Sequence, residues 1–230
     1  MNHVLLMSAD PAWGRASGLE SMLYRLGFAV CADPAALAEH QSIRLVLVDC
    51  SPDRPGAVAM LDGVALPAAS LRFAVVPADA AALPVAAGLH GVLPMLLDEC
   101  TLILALAAHR YVAIAASEHH ALGARINELA CDDEAVALRL IRLLIDTNGT
   151  TLAALRNAFA AVSWDEVAGA AHRLAGSARM LDCSGMIALL VRLEAAAHER
   201  ELALARAILQ VVADTIGSLD ASLLELLAEY

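Results

Sequence analysis

The sequence predicts an α/β domain followed by an all-α domain, and three observations carry that prediction. Before about residue 110, five short apolar runs are each closed by Pro, Asp, Ser or Gly and followed by an alanine-rich helical pattern. After it, no strand-like run occurs. There, apolar residues recur at steps of three and four, as amphipathic helices require.

The runs are Val4-Leu5-Leu6-Met7, Phe28-Ala29-Val30, Leu45-Val46-Leu47-Val48, Phe73-Ala74-Val75-Val76 and Gly91-Val92-Leu93. Continuous apolar strands alternating with helices imply a parallel sheet covered on both faces, a doubly wound five-stranded fold. The later helices read as 117–130, 133–161, 163–181, 184–198 and 201–228. Asn148-Gly149 interrupts the second. The spacing of Val136, Leu140, Leu144, Leu155 and Phe159 nonetheless makes it one long helix. Ser163-Trp164-Asp165-Glu166 reads as a capping box that opens the third. Asp132-Asp133-Glu134 supplies negative charge to the start of the second. The expected domains are 1–110 and 111–230, joined helically, since Asp98 to Ala116 holds neither Gly nor Pro.

Net charge is −11, and neither part is basic. Six arginines face ten acidic residues up to Arg110 (−4), and nine face sixteen after it (−7). That argues against a nucleic-acid surface. The hydrophobic share of 60% comes largely from alanine and leucine, which favours packed helices. Thr101 to Ala116 is the longest apolar stretch read, shorter than the roughly 20 residues that span a bilayer. No signal peptide is expected, because Met1-Asn2-His3 lacks a basic flank. Five scattered cysteines without Cys-x-x-Cys fit reduced thiols in the cytoplasm and no zinc site. All fifteen basic residues are arginine, which excludes lysine-dependent chemistry such as Walker-type loops and Schiff bases.

One histidine stands out. Val167, Ala171, Leu174, Ala178 and Leu181 form a buried stripe, and His172 falls about 100° round from it, at the solvent edge. Its neighbours one turn either way are Ala168, Gly169, Ala175 and Gly176. A glycine inside a helix costs roughly 1 kcal/mol relative to alanine, so two beside one histidine call for a reason. The simplest is access for another protein's surface. A lone histidine on an amphipathic helix is otherwise an edge residue, and the small neighbours and the resemblance below tip His172 towards function.

The segment from about Asp132 to Leu227 resembles the bacterial histidine phosphotransfer (HPt) domain. The matching residues are Trp164-Asp165-Glu166, then Ala171-His172-Arg173-Leu174 with Gly176-Ser177-Ala178, then Leu193-Glu194. The resemblance implies a four-helix bundle with His172 as phosphoacceptor. It implies a docking surface formed by Arg173, Ala175, Gly176, Arg179, Ala168 and Gly169. The family usually has lysine where this chain has Ala175. Arg179, seven residues after the histidine on the same face, is the substitute cation.

The first 110 residues resemble the receiver domain of response regulators, through the strand pattern and Asp49 after the third strand. A working receiver holds Mg²⁺ on an acidic pair after its first strand, with a hydroxyl after the fourth and a lysine after the fifth. Here Ser8-Ala9 replaces the pair, with Asp10 one place late. Pro77-Ala78 and Pro94-Met95 stand at the other two positions. One or two carboxylates hold a hard cation poorly, so Asp10 and Asp49 mark a degenerate site in a pseudo-receiver.

Taken together, these readings describe a cytoplasmic phosphorelay intermediate of two-component signal transduction, a phosphocarrier and not an enzyme. Neutral imidazole, with an ordinary pKa of about 6.5, attacks the aspartyl phosphate of a partner receiver. The carrier needs no cofactor or metal of its own, because the partner brings Mg²⁺. Its partners are a sensor histidine kinase and response-regulator receivers, with no nucleic acid and no membrane. The pseudo-receiver's role stays open between docking, homodimer formation and orienting the bundle. One alternative is a scaffold that sequesters a kinase or receiver. The other is an enzyme at the carboxyl ends of the strands, lined by Ser8, Asp10, Asp49 and Cys50. Among the remaining polar residues, Glu118-His119-His120 reads as a solvated face, and His198-Glu199-Arg200-Glu201 as a polar turn. Trp164 reads as core packing.

Overall fold

Leucine- and valine-rich runs form one parallel sheet in a computed structural model that describes residues 2–31, 43–51, 61, 63–64, 66–77 and 88–229. The strands are β1 (Asn2–Met7), β2 (Phe28–Cys31), β3 (Ile43–Asp49), β4 (Leu71–Val76) and β5 (Gly91–Pro94). Their order is β2-β1-β3-β4-β5, a doubly wound order. Leu5 lies opposite Val46, Leu47 opposite Phe73, and Val75 opposite Leu93. Leu45 through Val48 are all fully buried, and alternate side chains point to opposite faces, so both faces of the sheet are covered. The helical segments expected after β2, β3 and β4 lie outside the described residues. Between β1 and β2 run α1 (Trp13–Ala16) and α2 (Leu19–Arg25), separated by Gly18 at φ +74°, a conformation that favours glycine.

The chain divides into two compact units, Met1–His109 and Arg110–Tyr230. In the first, α3 (Glu99–Ala108) is capped by Asp98, whose carboxylate accepts from Thr101 N–H at 2.7 Å. That hydrogen bond holds the Asp98 carboxyl below its ordinary range. The expected helical joint does not run through. The helix stops at Ala108, and Arg110 takes a left-handed φ of +52° that breaks the hydrogen-bond ladder without any Gly or Pro.

The second unit holds α4 (Ala116–Leu129), α5 (Glu134–Ala160), α6 (Trp164–Met180), α7 (Ser184–Glu199) and α8 (Leu202–Glu229). Asn148-Gly149 leaves α5 continuous. The joints are very short and share one construction. After α5, Val162 N–H donates to Phe159 C=O (3.1 Å) and Ser163 N–H to Ala158 C=O (2.9 Å). After α6, Asp182 and Cys183 donate in the same pattern to Arg179 and Ala178. These are Schellman closures, which place one residue in the left-handed region. None of those residues is glycine: φ is +51° at Cys131, +55° at Val162, +54° at Asp182 and +58° at Arg200, and at the first joint Asp132 follows at +59°.

Two expectations change. Ser163 begins α6, yet its side chain makes no cap hydrogen bond; its N–H is committed to closing the preceding turn. Glu118 is no solvated residue. Its Oε2 accepts from Ala115 N–H (2.8 Å), while Oε1 accepts from Ser184 N–H (3.0 Å) and Ser184 Oγ–H, fastening the start of α4 to the start of α7. His119 is half-buried, with Nδ1 3.1 Å from Ser222 Oγ, and His120 is exposed with Nδ1 on Ala116 C=O. By length and composition α8 is apolar enough to cross a membrane, with mean hydropathy 1.5. In this fold it is a bundle helix whose Leu204, Ile208, Val211, Ile216 and Leu219 are buried.

Inside the bundle, buried Asn148 donates through Nδ2 to Asp220 Oδ1 at 2.9 Å, while its own Oδ1 has no partner. Burial pushes the Asp220 carboxyl above its ordinary value, against the smaller opposing effect of the Asn148 hydrogen bond. A carboxyl raised on folding contributes stability below its unfolded pKa of about 4, and that contribution is lost as pH rises through the folded value. Asp220→Asn removes the loss and supplies a donor for Asn148 Oδ1. The variant is expected to melt a few degrees above wild type at pH 7, with the gap closing towards pH 3. Thermal melts by circular dichroism at pH 3, 5 and 7 check this; a gap independent of pH would remove Asp220 as its cause. Val162 is 58% exposed and β-branched in a left-handed conformation. Val162→Gly is therefore expected to stabilise the chain by about 1 kcal/mol in urea titration, since little burial is lost.

Candidate functional site

The site is built on the α6–α7 hairpin. His172 lies eleven residues before Cys183 at the turn, and Glu194 eleven after it. Antiparallel packing therefore brings the two side by side. His172 Nδ1 stands 3.3 Å from Glu194 Oε2, with the histidine side chain 67% exposed and the glutamate 30%. In the tautomer with the proton on Nδ1, the ring donates to the carboxylate, and Nε2 keeps its lone pair for attack. The carboxylate orients the ring and offsets the positive charge that develops on it when Nε2 bonds to an electrophile. Glu194 had no role assigned from sequence, because its partner is 22 residues away across a turn.

The buried stripe forms as predicted: Val167, Ala171, Leu174, Ala178 and Leu181 are all at most 3% exposed. The small neighbours of His172 separate into two kinds. Ala168 and Ala175 are 4% and 0% exposed, so they pack inside the bundle and offer no docking surface. With Ala170, Ala171 and Ala178 they make α6 a seam of buried alanines. Gly176 is exposed, and a Cβ built there meets nothing within 4 Å. Gly169 is half-buried, and a Cβ there would lie 3.5 Å from Arg173 Nη1. Arg173 is exposed and folds its guanidinium back along the helix over Gly169, as helical side chains lean towards the N-terminus. Arg179 is also exposed, two turns further on. Trp164 is half-buried, edge-on to Phe159 at 6.1 Å.

Against known proteins, residues 139–228 match the family model described as the Hpt domain. The helical unit carries an Hpt domain. No curated protein and no solved structure matches the chain. The match runs from within α5 to the end of α8 and contains the whole His172 hairpin. An Hpt domain is a phosphocarrier module of two-component signalling, so phosphotransfer in signal transduction is the role this unit supports. Burial around the hairpin turn keeps its thiol unreactive. Cys183 is fully buried, and desolvation, then the charges of Glu118 and Asp182, push it up to about 12.

The five-stranded sheet preceding the Hpt domain fits a receiver-like fold. At the end of β3, Asp49 is fully buried. Its Oδ2 accepts from Ser8 Oγ–H at 2.6 Å, and its Oδ1 accepts from Ser51 N–H at 3.1 Å and from Ser51 Oγ–H. Asp10 is half-buried, and its Oδ1 accepts from Ala12 N–H at 2.9 Å, an Asx turn leading towards α1. The carboxylates of Asp49 and Asp10 are thus both occupied within the fold. Cys50 beside them is raised by burial and then by the Asp49 charge. Pro94 ends β5, and Met95 N–H returns to Val76 C=O; Pro77 follows β4, while Ala78 lies outside the described residues. Among the described residues, no three His, Cys, Asp or Glu side chains are arranged to hold a metal ion.

Gly176 weakens α6 without any packing return inside the chain. Gly176→Ala is expected to raise stability by about 0.5–1 kcal/mol, measured by urea unfolding, because its new Cβ meets no atom. A loss of stability instead would mean that the backbone at Gly176 is not regular helix.

Proposed function

We propose that His172 is the phosphoacceptor of a cytoplasmic phosphorelay, taking a phosphoryl group from a receiver aspartate and passing it to a response regulator. The observation that carries this reading is an exposed imidazole within an Hpt domain, its Nδ1 held by Glu194 and its Nε2 left to react. Nε2 attacks the phosphorus of the aspartyl phosphate, an N–P bond forms, the P–O bond breaks, and the aspartate leaves as carboxylate. The reverse step hands the group on. The Mg²⁺ and the activating cation belong to the partner receiver, so the carrier supplies an accessible, oriented ring and little else.

The N-terminal unit is, in this reading, a pseudo-receiver. Ser8 and Ser51 occupy the Asp49 carboxylate, and the donors around it do not suit a six-coordinate hard cation. It takes no phosphate itself; docking of the kinase, a homodimer contact and orientation of the bundle remain its candidate roles. Neither the acidic charge nor the sequence pattern points to nucleic acid or membrane as a partner.

Phosphotransfer from purified phospho-receivers to this chain, beside His172→Gln and Asp49→Asn, tests the reading. The expected result is acid-labile, base-stable label on wild type and on Asp49→Asn, with none on His172→Gln. Tight receiver binding without label would turn the reading to a sequestering scaffold, which buried Ala175, offering no cation at the histidine, would explain. Label lost only with Asp49→Asn would overturn it.

A further inference from the structure

A phosphoryl group on a histidine is close to a dianion at neutral pH, and a solvent-exposed dianion on a helix is stabilised by any cation that shares its turn. His172 offers no such cation through Glu194, which is itself negative. The surrounding positions on the helix are mostly alanine and glycine, so the choice lies between Arg173 and Arg179. Arg179 is seven residues on, about 10 Å along the axis. Arg173 is adjacent in sequence, about 100° round, and its Nη1 lies against Gly169. Gly169 is three residues before His172, on the turn towards which helical side chains at both 172 and 173 are directed by backbone geometry. The Arg173 guanidinium thus reaches back over the turn that precedes His172. Among the described residues Arg173 makes no ion pair that would hold it away.

We propose that Arg173 is the cation of the phosphorylated site, its guanidinium lying along α6 over Gly169 to meet the phosphoryl oxygens on His172 Nε2. The inference rests on the phosphoacceptor reading of His172. It gives Gly169 a purpose distinct from that of Gly176. Gly169 keeps the guanidinium low on the helix, and Gly176 leaves the opposite side of the ring open. A guanidinium suits the task because its fork donates to two phosphoryl oxygens at once.

The test uses the full chain and ammonium phosphoramidate, which needs no receiver. His172 Nε2 attacks phosphorus, the P–N bond of the donor breaks, and ammonia leaves with a proton. The phosphohistidine resonance is then followed by ³¹P NMR through a pH titration, with assignment from its absence in His172→Gln. A nearby cation favours the dianion, so Arg173→Ala is expected to move the phosphoryl midpoint upward by about half a pH unit. Arg173→Lys is expected to restore most of that change, and Arg179→Ala to leave the midpoint in place. A phosphorylated His172 whose midpoint is unmoved by Arg173→Ala, or moved only by Arg179→Ala, overturns the assignment of Arg173 and leaves the phosphoacceptor reading standing. Failure of His172 to take phosphate while exposed His198 does so overturns both.

Discussion

The turn between α6 and α7 sets the register on which the site depends. Leu181, Asp182 and Cys183 reverse the chain through two hydrogen bonds to the end of α6, and Cys183 C=O immediately receives Ile187 N–H to start α7. No slack residue is left. His172 and Glu194, equidistant from Cys183, meet because the reversal is this short; one inserted residue would rotate Glu194 about 100° off the histidine. Glu118 fastens Ser184 at the same point, so a third helix guards the reversal. The site's chemistry is local, but its geometry is held eleven residues away.

Much of this was legible in the chain. The strands could be read because a parallel sheet buries both faces and leaves uninterrupted apolar runs, as Leu45 through Val48 illustrate. The long helix through Asn148-Gly149 followed from its apolar spacing, and His172 followed from the stripe beside it. Most of the failures turn on contacts remote in sequence. Glu118 looked solvated because its partner Ser184 is 66 residues away. Ala168 and Ala175 looked open because helical geometry gives an angle round the axis and not the reach of the neighbouring helices. The Ser163 cap differs for a local reason: its N–H closes the preceding turn on Ala158 C=O, which sequence motifs for helix starts do not count. Asp49 ends the third strand, as its apolar run implies, but the two serines that enclose its carboxylate come from opposite sides of it in the chain.

The two units also differ in what their acidic groups do. In the sheet unit Asp49 is fully buried and its carboxylate is hydrogen-bonded by two serine hydroxyls. In the bundle Glu194 is partly open and bonded to a ring that is itself open to solvent. The first arrangement ties the end of β3 to the segments around it, and the second holds a ring that can be reached from solvent without unpacking anything around it.

The alanine seam of α6 has an entropic side. Alanine has no rotamers to freeze, so Ala168, Ala170, Ala171, Ala175 and Ala178 order on folding at the expense of backbone freedom alone. Leucines at these positions would overpack the seam and would each lose rotamer freedom on folding. Here the backbone beneath His172 rests on methyl groups with nowhere else to go. The support beneath the imidazole is therefore ordered with no side-chain entropy lost in the seam itself.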